Sequence, residues 1–441
     1  MIANEKNLIL KASKILENNW RGTHTVPSPT LYPHQWNWDS GFIAIGYSYI
    51  NQERSQKEIL SLFEGQWANG MLPHIIFRSK DSYFPGPEYW EIDLSKYAPT
   101  IKTSGITQPP VQAIAALQIY KNAKDKKSAK SFLKQLFPKI LAFHRYLLTK
   151  RDPEHSGLVT IFHPWESGLD NSIRWDEALA RITVKDLPKY ERVDLKEVSS
   201  SERPSKDTYD KYVYLMEIMK KYHYDEEKIY NNIPFKVKDI GFSTILYVAN
   251  KAMLDIADIL GESKYEIESW IKKTKENYFS YFCAKETENC LIYDFDLVAN
   301  KKIEKRTIVS LLPICTDLLS MEQAEDIVSW MRHSHVCKEN CIHIHPVVTS
   351  ISVDEKEFNP LNYWRGPIWI NINWMLYKGL QNYGFYTEAE MLRNAIIDLV
   401  AEHGFYEYYN PLSGEGLGTN NFSWTASLLI DLLLEKEEKY S

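Results

Sequence analysis

Carboxylic acids and large aromatic rings lie together in one short segment, HPWESGLDNSIRWD. Its acids are Glu166, Asp170 and Asp176, and Trp165 and Trp175 bracket them. The proline and the glycine within the segment disfavour an ordinary helix. A carboxyl group walled by tryptophan has a raised pKa, because burial disfavours its ionised form. Such a group can act as a general acid near neutral pH.

Asp170 also has a purely structural interpretation. The run Asp-Asn-Ser ahead of IRWDEALARI fits a helix start at which an aspartate caps the first turn. Because a cap alone leaves Glu166, Trp165 and Trp175 unexplained, we favour the general acid.

A second carboxylate is expected to work with the first, and GFYEYYNPLSGEGLG offers Glu407 and Glu415. Glu407 lies among tyrosines and precedes Asn, Pro, Ser and Gly, which are typical of a turn. A surface glutamate in a tyrosine-rich strand is the alternative. Two carboxylates far apart in the sequence, each among aromatics at a loop, fit hydrolysis of a glycosidic bond.

The composition favours a sugar as the ligand. Aromatic residues make up 13% of the 441 residues, with 13 Trp and 28 Tyr, and many of these Trp adjoin polar or charged residues. Sugars stack their C–H faces on aromatic rings, while their hydroxyls need hydrogen bonds. The net charge of −6 argues against a nucleic-acid partner.

Neither a membrane segment nor a signal peptide is indicated. No stretch approaches the roughly 18 apolar residues of a membrane helix, and the N-terminal apolar run is only a few residues long before charges follow. We therefore expect the protein in the cytoplasm. Whether it forms a homo-oligomer stays open.

Helical periodicity dominates the elements that must position these residues. About eleven segments read as amphipathic helices, whereas LIYDFD and CIHIHPVV are the best strand signals. Loops rich in polar aromatics recur about every second helix. This pattern predicts an all-α fold, an (α/α)6 barrel with long loops at one mouth, as a single domain over residues 1–441. The lysine-rich residues 184–207 are predicted to form a linker or lid insertion.

No cofactor motif is present, and no glycine-rich phosphate loop occurs. The segment CKENCIHIH brings Cys337, Cys341, His343 and His345 together, but a second ligand pair at zinc-finger spacing is missing. We therefore predict neither a cofactor nor a metal.

Five motifs, in this order, resemble the (α/α)6 hydrolases of glycoside hydrolase family 63: YPHQWNWDSGF, TSGITQPPVQA, HPWESGLDNSIRWD, NYWRGPIWININWMLYKGL and YEYYNPLSGEGLGTNNFSWTASL. Trehalases of family 37 are more distant relatives. The matches run from Tyr32 to Leu428, nearly the whole chain. The length and the lack of an extra β-domain resemble the compact bacterial mannosylglycerate and glucosylglycerate hydrolases.

The resemblance implies an inverting mechanism and assigns its residues. Asp170 takes the role of the general acid and Glu407 that of the base, with Glu415 as a supporting carboxylate and fallback base. In an inverting enzyme the two carboxyls stand roughly 6.5–9.5 Å apart to admit a water. The motifs also imply a set of sugar-binding residues: Tyr32, Gln35, Trp36, Trp38, Asp39, Gln108, Trp165, Gly168, Trp364, Arg365 and Trp369.

Arg203 and Tyr209 resemble the arginine and tyrosine that hold the glycerate carboxylate in those hydrolases. A guanidinium binds a carboxylate through two parallel hydrogen bonds, and Tyr89 is a candidate to complete the pocket. A solvated lid charge is the alternative for Arg203. The expected substrates are 2-O-α-glucosylglycerate or 2-O-α-mannosylglycerate, with the choice of hexose open. A neutral α-disaccharide such as trehalose, or sugar binding without catalysis, are the alternatives.

Overall fold

The structure is a computed structural model that describes residues 3–81, 83–283, 292–335 and 347–435. Its helices are α1 (Ala3–Asn19), α2 (Asn37–Ile50), α3 (Gln52–Leu62), α4 (Pro87–Trp90), α5 (Gln112–Asn122), α6 (Lys126–Lys150), α7 (Asp176–Ala180), α8 (Asp194–Glu197), α9 (Lys206–Lys221), α10 (Glu226–Asn232), α11 (Ile240–Leu260), α12 (Tyr265–Phe282), α13 (Met321–Trp330), α14 (Ile370–Asn382), α15 (Tyr386–His403) and α16 (Ser423–Leu434). Its strands are β1 (Gln35–Trp36), β2 (Ile75–Ile76), β3 (Thr160–Ile161), β4 (Val237–Lys238), β5 (Asp294–Asp296), β6 (Lys301–Ile303), β7 (Tyr406–Tyr409) and β8 (Gly416–Asn420).

Six elements form a closed inner ring. In order around the ring, α2 contacts α5, α5 contacts α11, and α11 contacts the 3-10 helix Ile308–Cys315. That 3-10 helix contacts α14, α14 contacts α16, and α16 returns to α2. Helices α1, α3, α6, α12, α13 and α15 pack around the outside of this ring. The closed double ring is the (α/α)6 barrel that the sequence predicts.

The inner and outer helices differ in how much of their surface is buried. All residues from Asn37 to Ser48 in α2 are buried, and so are all residues from Ser423 to Leu433 in α16. A helix that is buried on every side needs neighbours on every side, which is the position of the inner ring. The outer helix α6 instead buries a single face that begins at Ala129 and ends at Leu148.

The fourth inner element differs from the sequence prediction. The 3-10 helix Ile308–Cys315 is not among the predicted helices, because its eight residues are all buried and show no amphipathic period. Pro313 lies inside it and lacks the N–H that an α-helical ladder needs. The predicted helix DTYDKYVYLMEIMKKYHY corresponds to α9, which makes none of the inner-ring contacts described above.

Short antiparallel strands stand at the entrances of the inner helices. β1 pairs with β2 and runs directly into α2, and the β7–β8 hairpin precedes α16. A four-stranded sheet has the order β3-β4-β5-β6, with β4 ending just before α11. β5 confirms the strand predicted at LIYDFD. Within the described ranges, no helix combines the length and apolar character needed to cross a bilayer.

The insertion at 184–207 packs onto the mouth of the barrel. The ring of Tyr190 stacks on Phe84, with centroids 4.9 Å apart. The guanidinium of Arg192 lies 4.3 Å from the centroid of the Tyr209 ring. The insertion is therefore anchored by defined contacts over one side of the mouth.

The cysteine and histidine cluster predicted not to bind metal, Cys337, Cys341, His343 and His345, lies outside the described residues. Nearly all of the strand predicted at CIHIHPVV lies there too. Both stay predictions.

Candidate active site

A cavity opens at the N-terminal ends of the inner helices. Trp38 and Asp39 reach it from the start of α2, and Gln108 reaches it from the loop before α5. Trp369 lines it just ahead of α14, and Trp424 lines it from the first turn of α16. The barrel thus gathers side chains from distant parts of the sequence around one opening.

Most of the residues predicted from the sequence line this cavity. They are Tyr32, Trp36, Trp38, Asp39, Gln108, Trp165, Gly168, Asp170, Arg203, Tyr209, Trp364, Trp369 and Glu407. The structure does not bring the predicted residues Gln35, Tyr89, Arg365 and Glu415 into it.

Gln35 and Tyr89 support the mouth from outside the cavity. The Gln35 side chain is buried, and its amide oxygen accepts hydrogen bonds of 3.1 and 3.0 Å from Arg78. The Tyr89 hydroxyl donates a 2.6 Å hydrogen bond to the carbonyl of Lys189. Tyr89 therefore contacts the backbone of the insertion instead of completing the pocket around Arg203.

Arg365 and Glu415 also point elsewhere. The Arg365 guanidinium pairs with Asp176 and donates a 2.9 Å hydrogen bond to the carbonyl of Asn171. Glu415 is exposed on the β7–β8 turn, where its carboxylate accepts a 3.1 Å hydrogen bond from Ser413. The structure therefore does not support Glu415 as a fallback base.

Asp170 lies in a turn between two short 3-10 segments, Pro164–Ser167 and Ile173–Trp175. The N-cap of the second segment is Ser172, so Asp170 does not cap it. Gly168 has a φ of +74°, and a Cβ there would meet the Trp38 ring at 2.5 Å. Only glycine therefore lets the turn approach this ring.

The pKa of Asp170 is raised to about 7, mainly because the carboxyl is withdrawn from water. The positive charge of Arg203 opposes this rise, whereas the charge of Glu407 adds to it. Asp170 therefore retains its proton well above the pH at which an ordinary aspartate loses it. A protonated carboxyl that faces a cavity is what a general acid requires.

Glu166 holds the segment on the N-terminal side of Asp170. Its carboxylate is fully buried and forms an ion pair with Arg151. It also accepts a 2.7 Å hydrogen bond from the backbone N–H of Phe162. This carboxylate therefore has a positioning role, with its charge compensated inside the protein.

Arg174 holds the same segment on the C-terminal side. Its Nη1 donates hydrogen bonds of 3.0 Å to Asp239 and 2.9 Å to Asp294, and all three side chains are buried. Asp239 is also the N-cap of α11. The Asp170 turn is thereby tied to an inner helix and to β5.

Glu407 lies in β7 and is only 2% exposed. Its Oε1 accepts hydrogen bonds of 2.7 Å from Tyr32 and 3.4 Å from Tyr363. Its Oε2 accepts a 3.2 Å hydrogen bond from Arg203. Burial raises the pKa of Glu407, while Arg203 and the two tyrosines lower it. These donors favour the ionised form that a general base must have.

Arg203 stands between the insertion and the base. Its Nη1 donates a 3.0 Å hydrogen bond to the Tyr32 hydroxyl, and its guanidinium lies 4.6 Å from the centroid of the Tyr363 ring. Its Nε is buried and has no hydrogen-bond partner within the described part of the chain. A buried guanidinium N–H without an acceptor can bind an anion that enters the cavity.

Aromatic rings form the walls of the cavity. Trp364 and Trp369 stack with centroids 3.8 Å apart, and Trp369 stacks in turn on Tyr408. Trp38 meets Trp424 edge to face, with centroids 5.7 Å apart. Between such walls, the buried carboxyl group of Asp39 faces the cavity. Burial, followed by the charge of Glu407, raises the pKa of Asp39 well above its ordinary value.

Sequence reasoning missed several lining residues. His74, Tyr83, Tyr363 and Trp424 all line the cavity. Tyr363 and Trp424 lie in two of the five motifs quoted above, and His74 and Tyr83 lie in another loop rich in polar and aromatic residues, GMLPHIIFRSKDSYFPGPEYWE. Burial lowers the pKa of His74 to about 3, so its imidazole is neutral. Asp194, in the insertion, had no signal beyond the general charge of that segment.

In the part of the chain that the structure describes, no three His, Cys, Asp or Glu side chains converge in a way that could hold a metal ion.

Comparison with known proteins identifies the family of the chain. The model of the mannosylglycerate hydrolase MGH1-like glycoside hydrolase domain matches residues 32–425. A mannosylglycerate hydrolase of Thermus thermophilus is 41% identical over 96% of this chain and 99% of its own length. A glucosylglycerate hydrolase of Mycolicibacterium hassiacum is 34% identical over 97% of both chains.

A solved structure extends the match to three dimensions. The crystal structure of the GH63 mannosylglycerate hydrolase of Thermus thermophilus in complex with Tris and D-glycerate has a TM-score of 0.88 and 41% identity. It covers 96% of this chain and 99% of that one. The neutral trehalase of Saccharomyces cerevisiae, with a TM-score of 0.57 and 15% identity, shares the fold. The chain belongs to the MGH1-like glycoside hydrolases of family 63.

Proposed function

We propose that the protein hydrolyses a 2-O-α-glycosylglycerate with inversion, releasing the hexose and glycerate. One observation carries the proposal: a protonated aspartate and a hydrogen-bonded glutamate line the same cavity as a buried arginine with a free donor. Asp170, Glu407 and Arg203 are these three residues. Relatives named mannosylglycerate hydrolase and glucosylglycerate hydrolase support the same substrate class.

Asp170 is the general acid in this proposal. Its carboxyl donates a proton to the glycosidic oxygen as the bond from that oxygen to the anomeric carbon breaks. The raised pKa keeps the proton available near neutral pH. The buried pairs of Glu166 and Arg174 keep the turn in place while the charge of Asp170 changes.

Glu407 is the general base. It accepts a proton from a water that attacks the anomeric carbon on the face opposite the leaving oxygen. Tyr32, Tyr363 and Arg203 hold its carboxylate in one orientation. Attack from that side converts an α-glycoside into a β-hexose.

The aglycone lies against the insertion in this proposal. Arg203 supplies the charge that a glycerate carboxylate requires, and Tyr209 lines the cavity nearby. The hexose then occupies the tryptophan-walled part of the cavity, where Asp39 accepts hydrogen bonds from its hydroxyls.

The proposal is tested by hydrolysis of glucosylglycerate, mannosylglycerate, trehalose and kojibiose, with the anomer of the product followed by NMR. We expect turnover of a glycosylglycerate and an initial β-anomer. Turnover of trehalose or kojibiose alone would contradict the glycerate assignment, and an initial α-anomer would contradict inversion.

Single substitutions test the proposed acid, base and aglycone-binding residues one at a time. Asp170→Asn and Glu407→Gln are expected to lose most turnover of the glycosylglycerate with folding retained, whereas Glu415→Gln is the matched control from the same hairpin. Arg203→Ala is expected to raise KM by about tenfold or more, since one charged contact is worth roughly 1.5–3 kcal/mol. An unchanged KM would contradict an anionic aglycone.

A further inference from the structure

The arginine assigned to the aglycone is already engaged by the base. The Nη2 of Arg203 donates its 3.2 Å hydrogen bond to Glu407 Oε2, and both side chains are at most 5% exposed. A glycerate carboxylate and Glu407 are therefore two anions that require the same cation.

The hydrogen-bonding pattern of Arg203 makes the two anions share one nitrogen of the guanidinium. Nη1 is engaged by Tyr32, Nη2 by Glu407, and the buried Nε has no acceptor among the described residues. A carboxylate binds a guanidinium most strongly through two parallel N–H groups. The N–H pair that includes Nε is completed by Nη2, so a carboxylate on the free Nε binds the nitrogen that also donates to Glu407 and shares its positive charge.

The contact with Arg203 restrains the base. Oε1 of Glu407 already accepts hydrogen bonds from Tyr32 and Tyr363, so Oε2 is the less occupied oxygen, and Arg203 reaches it. An opposite charge beside a carboxylate makes it a weaker proton acceptor. A general base works better as its affinity for the proton rises toward the operating pH.

We infer that an anionic aglycone activates the base, because its carboxylate draws the Arg203 guanidinium away from Glu407 and frees Oε2 for the attacking water. This inference rests on the proposed function and deepens it. The substrate's charge then selects glycerate through the rate of the chemical step as well as through binding.

Hydrogen bonds on both sides of Arg203 hold the backbone of this segment, so the inferred movement is one of the side chain alone. On one side, the Glu202 carboxylate accepts a 2.9 Å hydrogen bond from the backbone N–H of Gly418. On the other, the carbonyl of Pro204 accepts a 2.6 Å hydrogen bond from Arg192. The guanidinium lies over the face of the Tyr363 ring, and the inferred movement is a shift along that face.

The step itself is balanced without another reactant. The water oxygen bonds to the anomeric carbon, its proton goes to Glu407 Oε2, and the bond to the aglycone oxygen breaks. The proton of Asp170 goes to that oxygen, so hexose and glycerate leave with one water consumed.

An α-glycosyl fluoride separates activation from binding, since it occupies the hexose position and carries no aglycone. We would measure fluoride release from α-glucosyl and α-mannosyl fluoride with and without acetate, a carboxylate small enough to leave room for the fluorine. Chloride at the same ionic strength is the control. We expect acetate to accelerate release by about tenfold in the wild type and chloride to have no effect.

Two variants identify the residue responsible. Arg203→Gln is expected to lose the acceleration by acetate. Lys206→Gln is its control, because Lys206 lies in the same insertion but is exposed and pairs with Asp210 outside the cavity. Acceleration that survives in Arg203→Gln, or that is also lost in Lys206→Gln, would overturn the inference.

The remaining outcomes distinguish this inference from the proposed function. If the protein hydrolyses a glycosylglycerate but acetate leaves fluoride release unchanged or inhibits it, the inference is wrong and the proposed function stands. Absence of turnover on every glycosylglycerate, or fluoride release that is undiminished in Glu407→Gln, would overturn the proposed function and the inference with it.

Discussion

The Tyr32 hydroxyl donates a 2.7 Å hydrogen bond to Glu407, although 375 residues separate the two in the sequence. The loop before β1 and the last hairpin therefore meet at one carboxylate. This contact lowers the pKa of a glutamate whose burial raises it.

Replacing Tyr32 by Phe removes that hydrogen bond and leaves the ring. The pKa of Glu407 is then expected to rise, so the acidic limb of kcat/KM moves to higher pH. We expect kcat to fall by about tenfold, because Oε1 loses the donor that orients the carboxylate, and this loss outweighs the gain in basicity. Profiles of kcat and kcat/KM against pH measure both effects. Tyr406→Phe, next to Glu407 in β7, is the control. An unshifted limb would contradict this role.

The pH dependence of the wild type follows from the two carboxyls. Asp170 must be protonated, so kcat/KM is expected to fall about tenfold per pH unit above its pKa of about 7. Glu407 must be ionised, and since its pKa is raised from 4.5, the acidic limb lies above pH 4.5. A rate that stays constant from pH 7 to 9 would remove Asp170 as the acid.

A comparison of two leaving groups tests the role of Asp170 as the general acid a second time. Fluoride needs little protonation to depart, whereas the alkoxide of glycerate needs it. Asp170→Asn is therefore expected to lose about 10²–10⁴-fold on the glycosylglycerate and much less on the α-glycosyl fluoride. Equal losses on both substrates would indicate damage to the site as a whole.

Gly418 lies against the base. It has a φ of +70°, and a Cβ there would lie 2.4 Å from Glu407 Oε2. Gly418→Ala is expected to displace that carboxylate and to lower kcat by at least about tenfold. Gly384→Ala is the matched control, because φ there is +79° and the nearest atom is 4.0 Å away. Both variants strain the backbone, so both are expected to lose stability in urea unfolding. A loss of kcat in Gly418→Ala that Gly384→Ala does not share reports on the base, and equal kcat values would contradict the prediction.

The buried pair beside Asp170 is expected to govern stability. Glu166→Ala leaves the Arg151 charge buried and uncompensated, which costs about 3–5 kcal/mol of the free energy of unfolding. The exposed Glu53 pairs with Lys57 on α3, and Glu53→Ala is expected to leave the free energy of unfolding nearly unchanged. Urea unfolding of both variants checks the contrast, and a small effect at Glu166 would contradict it.

The inner and outer helices are largely predictable, because a helical period of apolar residues over a dozen positions is a strong signal. The 3-10 helix Ile308–Cys315 is not, since a buried apolar run with Pro313 carries no period to read. The closure of the ring also follows from packing and not from any one segment.

For the site, residue types in loops identified Asp170 and Glu407, and the family resemblance added Arg203; all three line the cavity. Membership of a motif does not distinguish residues that line the cavity from residues that hold the lining residues in place. Gln35 adjoins Trp36, yet the alternation of β1 turns its side chain toward Arg78. The expected cytoplasmic location, the single-domain organisation and the roles of the site residues stay predictions.

The insertion at 184–207 brings Asp194, Arg203 and Pro204 to the cavity from one continuous stretch of chain. The two carboxylates, by contrast, come from segments that only the closed barrel unites. Because Arg203 also donates to Glu407, an exchange of this segment would alter the general base together with the proposed aglycone pocket. In evolutionary terms, we expect leaving-group specificity and catalytic rate to change together in this family.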